Sequence, residues 1–288
     1  MFLQDRFDRG LQFSTIKSYI SALGHFLPLF DGLSLGKHRL VSMFLKGVKR
    51  LRPPTRVVVP PWDLSIVLNY LSKPPFEPLA SADFKHCLLK TVFLIAVASV
   101  ARSSELAALD CRPPFTMVRR QYASLKHNEV FRPKVPTPQN VNRTINLQAL
   151  PDSPSCPVRA LNYYLQAAEQ VRVRDCFQLF VSFASGNRAG RKVLPSTISG
   201  WLVTVIRDAY EDAGLPPPQV SGHTTRKMGT SRAWAAGASC EEICRAATWS
   251  SSLTFAQHYK LDVLPASSFS ISSLALGEHD ISSSSESD

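Results

Sequence analysis

His223, Thr224, Thr225 and Arg226 set an imidazole and a guanidinium three residues apart, one turn if the segment is helical. An indole, Trp249, follows 23 residues after Arg226, and a phenol, Tyr259, 10 residues after that. Phosphoryl transfer through a protein nucleophile needs such a set: a hydroxyl that attacks, and fixed donors around the phosphate where charge builds up. Singly, each residue has a plainer explanation. A histidine ahead of a helix is commonly structural or solvated, and Trp and Tyr are commonly core aromatics. The set gains weight only if the chain upstream adds a second arginine and a lysine.

It does. Arg102 stands in Arg102-Ser103-Ser104-Glu105-Leu106, directly after the apolar stretch 92–101. Lys134, in Arg132-Pro133-Lys134-Val135-Pro136, and Lys126 both fall in a stretch, residues 117–147, where helical periodicity disappears. Residues 118–125, Val130 and residues 144–147, with Pro133, Pro136 and Pro138 between, predict a small antiparallel sheet with an irregular turn.

The elements that must position these residues are mostly helical. Residues 62–71 predict a helix opened by proline in its first turn, followed by helices over 82–100, 103–109, 157–169 and 195–213, the last stopped by Gly214 and three prolines. Residues 179–183 predict a short strand. Thr224 and Thr225 are cap residues for a helix ending at Gly237, which would bring His223 and Arg226 to one anion-favouring helix start. Ser239 with Glu242 forms a capping box for the next helix, which ends near Trp249. Residues 250–252 can cap a third helix that presents Phe255 and Tyr259 on one face.

Ahead of this body, residues 1–52 form a small helical segment. Ser14 can cap a helix carrying Ile16, Ile20 and Leu23 on one face, and Leu40, Val41, Phe44, Leu45 and Val48 form a second apolar stripe. Residues 53–61 read as a proline-rich linker and 62–265 as one domain. The tail, 266–288, is serine-rich and acidic, a composition that predicts disorder.

Charge points to a polyanion. The chain carries +11, yet all 33 basic side chains lie in residues 1–265 against 18 of the 22 acidic ones, a surplus of +15. Lys46, Lys49, Arg50 and Arg52 cluster beside the linker as candidate contacts to a nucleic-acid backbone, although such a run is usually a solvated face. The longest apolar stretch, 92–101, is too short to span a bilayer, so no membrane role is expected. No signal peptide opens the chain, and the six scattered cysteines lack zinc-ligand spacing, which predicts an intracellular, unsecreted protein with reduced thiols and no metal. No Gly-x-Ser-x-Gly elbow marks a serine hydrolase.

The His-x-x-Arg, the aromatic 23 residues on and the tyrosine on the next helix resemble the C-terminal signature of the tyrosine recombinases, the phage-integrase class. That class also carries an arginine in an Arg-x-x-Glu-Leu context, matched at Arg102, and a hairpin lysine between its two arginines, matched by Lys134 or by Lys126. The wording of residues 244–249 and 255–262 is similar to recombinases of animal mobile elements, including tyrosine-recombinase retrotransposons. The resemblance covers about residues 60–265.

It implies a mainly α (α+β) catalytic domain with a small antiparallel sheet, preceded by a helical core-binding (SAM-like) segment that looks truncated here. It implies DNA strand cleavage and rejoining, as in site-specific recombination or integration, through a 3′-phosphotyrosyl intermediate. Tyr259 would be the nucleophile, Arg102 and Arg226 the phosphate clamp, His223 a donor to the phosphate or an aid to proton movement at the nucleophile, Trp249 a further donor, and Lys134 the acid for the leaving 5′-oxygen. Glu105 would orient a basic neighbour, and Lys227, Arg232 and Arg245 are candidate DNA contacts. No cofactor is required, because the phosphotyrosine conserves the bond energy. The implied partner is double-stranded DNA, with a tetramer of this chain on paired sites and residence in the nucleus. Two rivals share the fold: a mobile-element-derived DNA-binding protein that no longer recombines, and a type IB topoisomerase.

Overall fold

A computed structural model describes residues 2–53, 62–134, 136 and 138–249. Tyr259, nearly all of the proline-rich segment and the acidic tail lie outside the described residues. The chain divides into two compact units, Met1–Val59 and Pro60–Asp288.

The first unit consists of α1 (Phe2–Asp8), α2 (Phe13–Phe26), a 3₁₀ turn at Leu35–Lys37 and α3 (Arg39–Leu51). Leu3, Ile16, Ile20, Val41 and Val48 form its small core, so the two apolar stripes meet, although Leu40 of the second stripe is exposed. Ser14 does not cap α2; Gln12 precedes the first turn and gives no side-chain cap. Arg52 departs from its basic neighbours. Its Nη1 donates to Phe7 O at 3.1 Å and Leu11 O at 2.8 Å, and its guanidinium lies 4.4 Å from the Phe7 ring centre, so it ties the C-terminus of α3 to α1. Lys46, Lys49 and Arg50 remain exposed.

The second unit is built around α5 (Phe84–Ser99), started by Asp83, whose side chain accepts from His86 N at 2.8 Å. Leu88, Val92, Phe93, Ile95 and Ala96 are buried on several sides of this helix, which packs against α8 (Pro157–Val171) and α9 (Pro195–Asp212). The helix also buries Lys90 completely. The ammonium donates to Leu71 O at 2.8 Å and pairs with Glu77, which in turn accepts from Arg159. Burial pushes the Lys90 pKa down, and the Glu77 carboxylate works against that shift.

Helix α4 (Leu64–Leu71) starts at Asp63, whose side chain accepts from Ser65 N at 2.8 Å, rather than at a proline as expected. After α6 (Ser103–Ala107), β1 (Thr116–Val118), β2 (Tyr122–Lys126) and β3 (Thr144–Gln148) form one antiparallel sheet in that order. Tyr122 faces Gln148 at one end and Lys126 faces Thr144 at the other. Ala123 and Leu125 of β2 and Ile145 and Leu147 of β3 turn into the core. The loop between β2 and β3 includes a short helical turn, α7 (Pro138–Val141), and Val130 in that loop is exposed rather than part of the sheet.

Residues 179–183 are not a strand. Leu179, Phe180 and Val181 are buried, but the backbone nearby makes only isolated bridges, Asp110 with Gln178 and Val181 with Lys192. An apolar run records burial, and a strand also needs a neighbour to pair with. Helix α9 ends before Gly214, whose φ of +69° only glycine adopts readily. The last described elements are α10 (Thr224–Ala235) and α11 (Cys240–Ala246). Among the described residues the chain is thus mainly α with one small antiparallel sheet, and no described helix is long and apolar enough to cross a membrane.

Candidate active site

The site is organised by one buried carboxylate. At the end of α5 Val100 adopts a left-handed conformation (φ 47°, ψ 30°), which costs a β-branched residue on the order of 1–3 kcal/mol. This turn places Arg102 at the head of α6, and Glu105 folds back onto it. Glu105 Oε2 accepts from Arg102 N at 2.9 Å and Oε1 from Arg102 Nη1 at 2.6 Å. Arg143 Nη1 lies 2.9 Å from Oε2, and Arg226 Nη1 3.9 Å from the same oxygen. Glu105 is 3% exposed. Burial pushes its pKa up, but the Arg143 charge and the hydrogen bonds and charge of Arg102 outweigh burial and hold it below the usual glutamate value. Three guanidiniums around one carboxylate leave a local charge of about +2, suited to an anion.

Arg226 is 1% exposed on the first turn of α10. Its Nη1 donates to Val100 O at 2.7 Å, its Nη2 donates to Ala247 O, and its guanidinium carbon lies 5.0 Å from the Trp249 ring centre. Gly229, three residues on, permits this depth: a Cβ there would stand 2.6 Å from Val97 O and 2.9 Å from Val100 Cγ1. The threonines do not act as caps. Thr224 Oγ1 donates back to Ser221 O at 2.7 Å and Thr225 Oγ1 to Gly222 O at 3.2 Å. His223 takes the N-cap position, so it shares the helix start with Arg226 as expected, but it is exposed where Arg226 is buried.

Trp249 is placed by the end of α11. The expected capping box opens that helix, with Ser239 Oγ accepting from Glu242 N at 3.2 Å and Glu242 Oε2 accepting from Ser239 N at 2.8 Å. At its other end Thr248 is left-handed (φ 54°), Thr248 N donates to Arg245 O at 3.2 Å and Trp249 N to Cys244 O at 2.9 Å. This is the Schellman closure, with threonine where glycine is usual. Arg102 Nη1 reaches the hydroxyl of that threonine at 3.2 Å. Val100 and Thr248, both left-handed and β-branched, thus each present an oxygen that accepts from an arginine, Arg226 and Arg102 respectively.

Arg102 and Arg226 are thus brought together around Glu105, and Trp249 lies against Arg226. Lys126 closes β2 and Lys134 lies in the β2–β3 loop, and both are exposed, so the geometry ranks neither first. Among the other candidate contacts, Lys227 is half-buried on α10, Arg232 donates to Ser65 Oγ at 2.9 Å, and Arg245 pairs with Glu241 at 2.8 Å.

Two residues of this region escaped sequence reasoning. Arg143 precedes β3 with no acidic residue near it in the chain, and its acceptors lie in three distant segments. His127 is 7% exposed, packs its ring 4.6 Å from that of Phe131, and has no hydrogen-bond partner for either ring nitrogen among the described residues. Burial pushes its pKa down to about 4; Glu105 pulls it up and Arg143 adds to the fall. It is a neutral imidazole at the rim of the Glu105 cluster.

No protein-family profile and no curated sequence matches the chain. Solved structures do. A Tn1549 transposon integrase in complex with transposon right-end DNA is 13% identical, covers 96% of this chain and 83% of its own, and gives a TM-score of 0.56. The same integrase with circular intermediate DNA is 14% identical at the same coverage, TM-score 0.55. The XerH recombinase bound to its difH substrate is 13% identical and covers 93% of this chain and 70% of its own, TM-score 0.50. The fold is that of the tyrosine recombinase catalytic domain. Nothing in these neighbours supports the narrower resemblance to animal mobile-element recombinases.

Proposed function

We propose that the chain cleaves and rejoins DNA strands, with Tyr259 as nucleophile. The Tyr259 hydroxyl gives up its proton with His223 assisting the transfer, its oxygen attacks the scissile phosphorus to form a 3′-phosphotyrosyl bond, and the P–O5′ bond breaks. The leaving 5′-oxygen takes a proton from Lys134 or Lys126 and departs as a hydroxyl. Arg102 and Arg226 hold the non-bridging oxygens, whose charge rises in the transition state, and Trp249 and His223 add donors. Rejoining reverses the steps with a 5′-hydroxyl as the attacking group.

The observation that carries this reading is the three-arginine cluster on Glu105. Its surplus of about +2 matches the charge of a pentavalent phosphorane better than that of a diester ground state. The DNA-bound state of the structural neighbours supports duplex DNA as partner. Assembly as a tetramer on paired sites and nuclear residence belong to the same proposal.

The test is incubation with a nicked duplex that traps the covalent product, carrying the terminal sequence of the element that encodes the chain, followed by denaturing electrophoresis. A protein–DNA band present in the wild type and lost in Tyr259→Phe is expected. Intact DNA binding with no such band would favour a binding protein that no longer recombines.

A further inference from the structure

Arg226 joins two helix ends, through Val100 O after α5 and Ala247 O after α11. Arg143 joins the same two ends one residue earlier. Its Nη2 donates to Ser99 O and to Ala246 O, each at 2.7 Å, while its Nη1 holds Glu105 at 2.9 Å. Only 10% of the Arg143 side chain is exposed, and its backbone leads into β3, so the guanidinium is delivered by an element separate from α10.

The last carbonyls of a helix have no partner within it, and a cation there is favoured by the helix dipole. Two guanidiniums on consecutive carbonyls of both helix ends therefore form a double staple between α5 and α11. The two staples differ in what they can do next. Arg226 faces Trp249 and must turn donors toward an incoming phosphate if it is to clamp it, which weakens its hold on Val100 O and Ala247 O. Arg143 already spends its fork on Glu105, Ser99 and Ala246.

We infer that Arg143 is a positioning residue that keeps the α5–α11 joint closed, and with it Thr248 and Trp249 in place, while Arg226 engages the scissile phosphate. The inference rests on the phosphate-clamp reading above and assigns Arg143 no contact with substrate. A lysine cannot replace it, because one ammonium lacks the planar fork that spans three acceptors.

The experiment compares wild type, Arg143→Lys and Arg143→Gln for covalent-product formation on saturating nicked duplex, DNA affinity, and backbone hydrogen exchange. Both variants should lose on the order of 100-fold in cleavage, the scale of a site displaced by about 1 Å, with affinity within about twofold. The amides of Ala247, Thr248 and Trp249 should exchange at least about tenfold faster, whereas those of α8 should keep wild-type rates.

Slowed cleavage with unchanged exchange at 247–249 would put Arg143 on the substrate and overturn the positioning role. Faster exchange with wild-type cleavage would reduce it to a stabilising staple and overturn the role equally. A duplex with sulfur at the 5′-bridging position has a leaving group that needs no acid, so the cleavage defect should persist on it. Full rescue there would route the effect through the lysine-bearing loop and sink the inference. If the wild type forms no covalent product, the functional reading fails, but the exchange data still decide whether Arg143 closes the joint.

Discussion

Two carboxylates in the second unit gather cations, and they do so to different ends. Glu77 takes Lys90 and Arg159, with Lys90 wholly enclosed and also bonded to Leu71 O. Glu105 takes Arg102 and Arg143 and has Arg226 at 3.9 Å, and one of its arginines, Arg102, is 20% exposed. The first cluster has about +1 of surplus charge and the second about +2. Exposure does not separate them, since Arg159 of the first is 41% exposed. A buried ion cluster is thus no sign of function by itself; the surplus charge separates an anion site from a brace.

The largest effect should come from removing each hub. Glu105→Ala and Glu77→Ala both strand buried cations, at about 3–5 kcal/mol of unfolding free energy each, read by urea denaturation. Covalent-product yield per folded molecule should collapse only for Glu105→Ala. Equal activity in the two variants would erase the distinction drawn here.

Arg102→Ala sharpens the contrast within the Glu105 cluster. It should cost about 3 kcal/mol of barrier, or 100-fold and more in cleavage. Because the side chain is partly exposed, the urea midpoint should move little; a loss of stability as large as for Glu105→Ala would recast Arg102 as a brace.

Acid titration sets the two clusters apart again, through His127. Its pKa is about 4 in the folded protein, against about 6.5 unfolded, so only the unfolded chain gains a proton between those values. Stability is then full above pH 6.5 and falls by about 3 kcal/mol as pH drops to 4. Glu105, with its depressed pKa, adds a loss only at lower pH, below the unfolded glutamate value. In His127→Phe the decline between pH 6.5 and about 5 should vanish; an unchanged decline there would locate it elsewhere.

The smallest effects belong to α3. Lys46→Ala, Lys49→Ala and Arg50→Ala should each flatten the slope of log affinity against log salt by about 1 without touching cleavage of bound DNA. Arg52→Ala should instead destabilise the first unit, since its guanidinium is committed to Phe7 and Leu11.

Much of this was legible beforehand, for reasons that are local. The apolar stripes of α2 and α3, the Ser239–Glu242 box of α11, the stop at Gly214 and the change of period at the sheet each depend on residues within a few positions of one another. The order of Arg102, His223, Arg226 and Trp249 could be read for the same reason. Capping by Asp63, the bridges around 179–183 and the backward bonds of Thr224 and Thr225 could not, because several local solutions compete and packing selects among them.

By itself, then, the sequence determined most of the helices, the place of the small sheet and which side chains could serve a phosphate, since propensity, capping and periodicity act over a turn or two. Only the tertiary structure decided that Glu105 is the hub, that Arg143 and Arg226 staple the same two helix ends, and that His127 is buried neutral beside them. Those facts depend on carbonyls and charges from separate segments, some more than 100 residues apart, such as Arg226 with Val100 and Arg143 with Ala246. Backbone carbonyls have no side-chain identity, so no pattern of residue types could announce them.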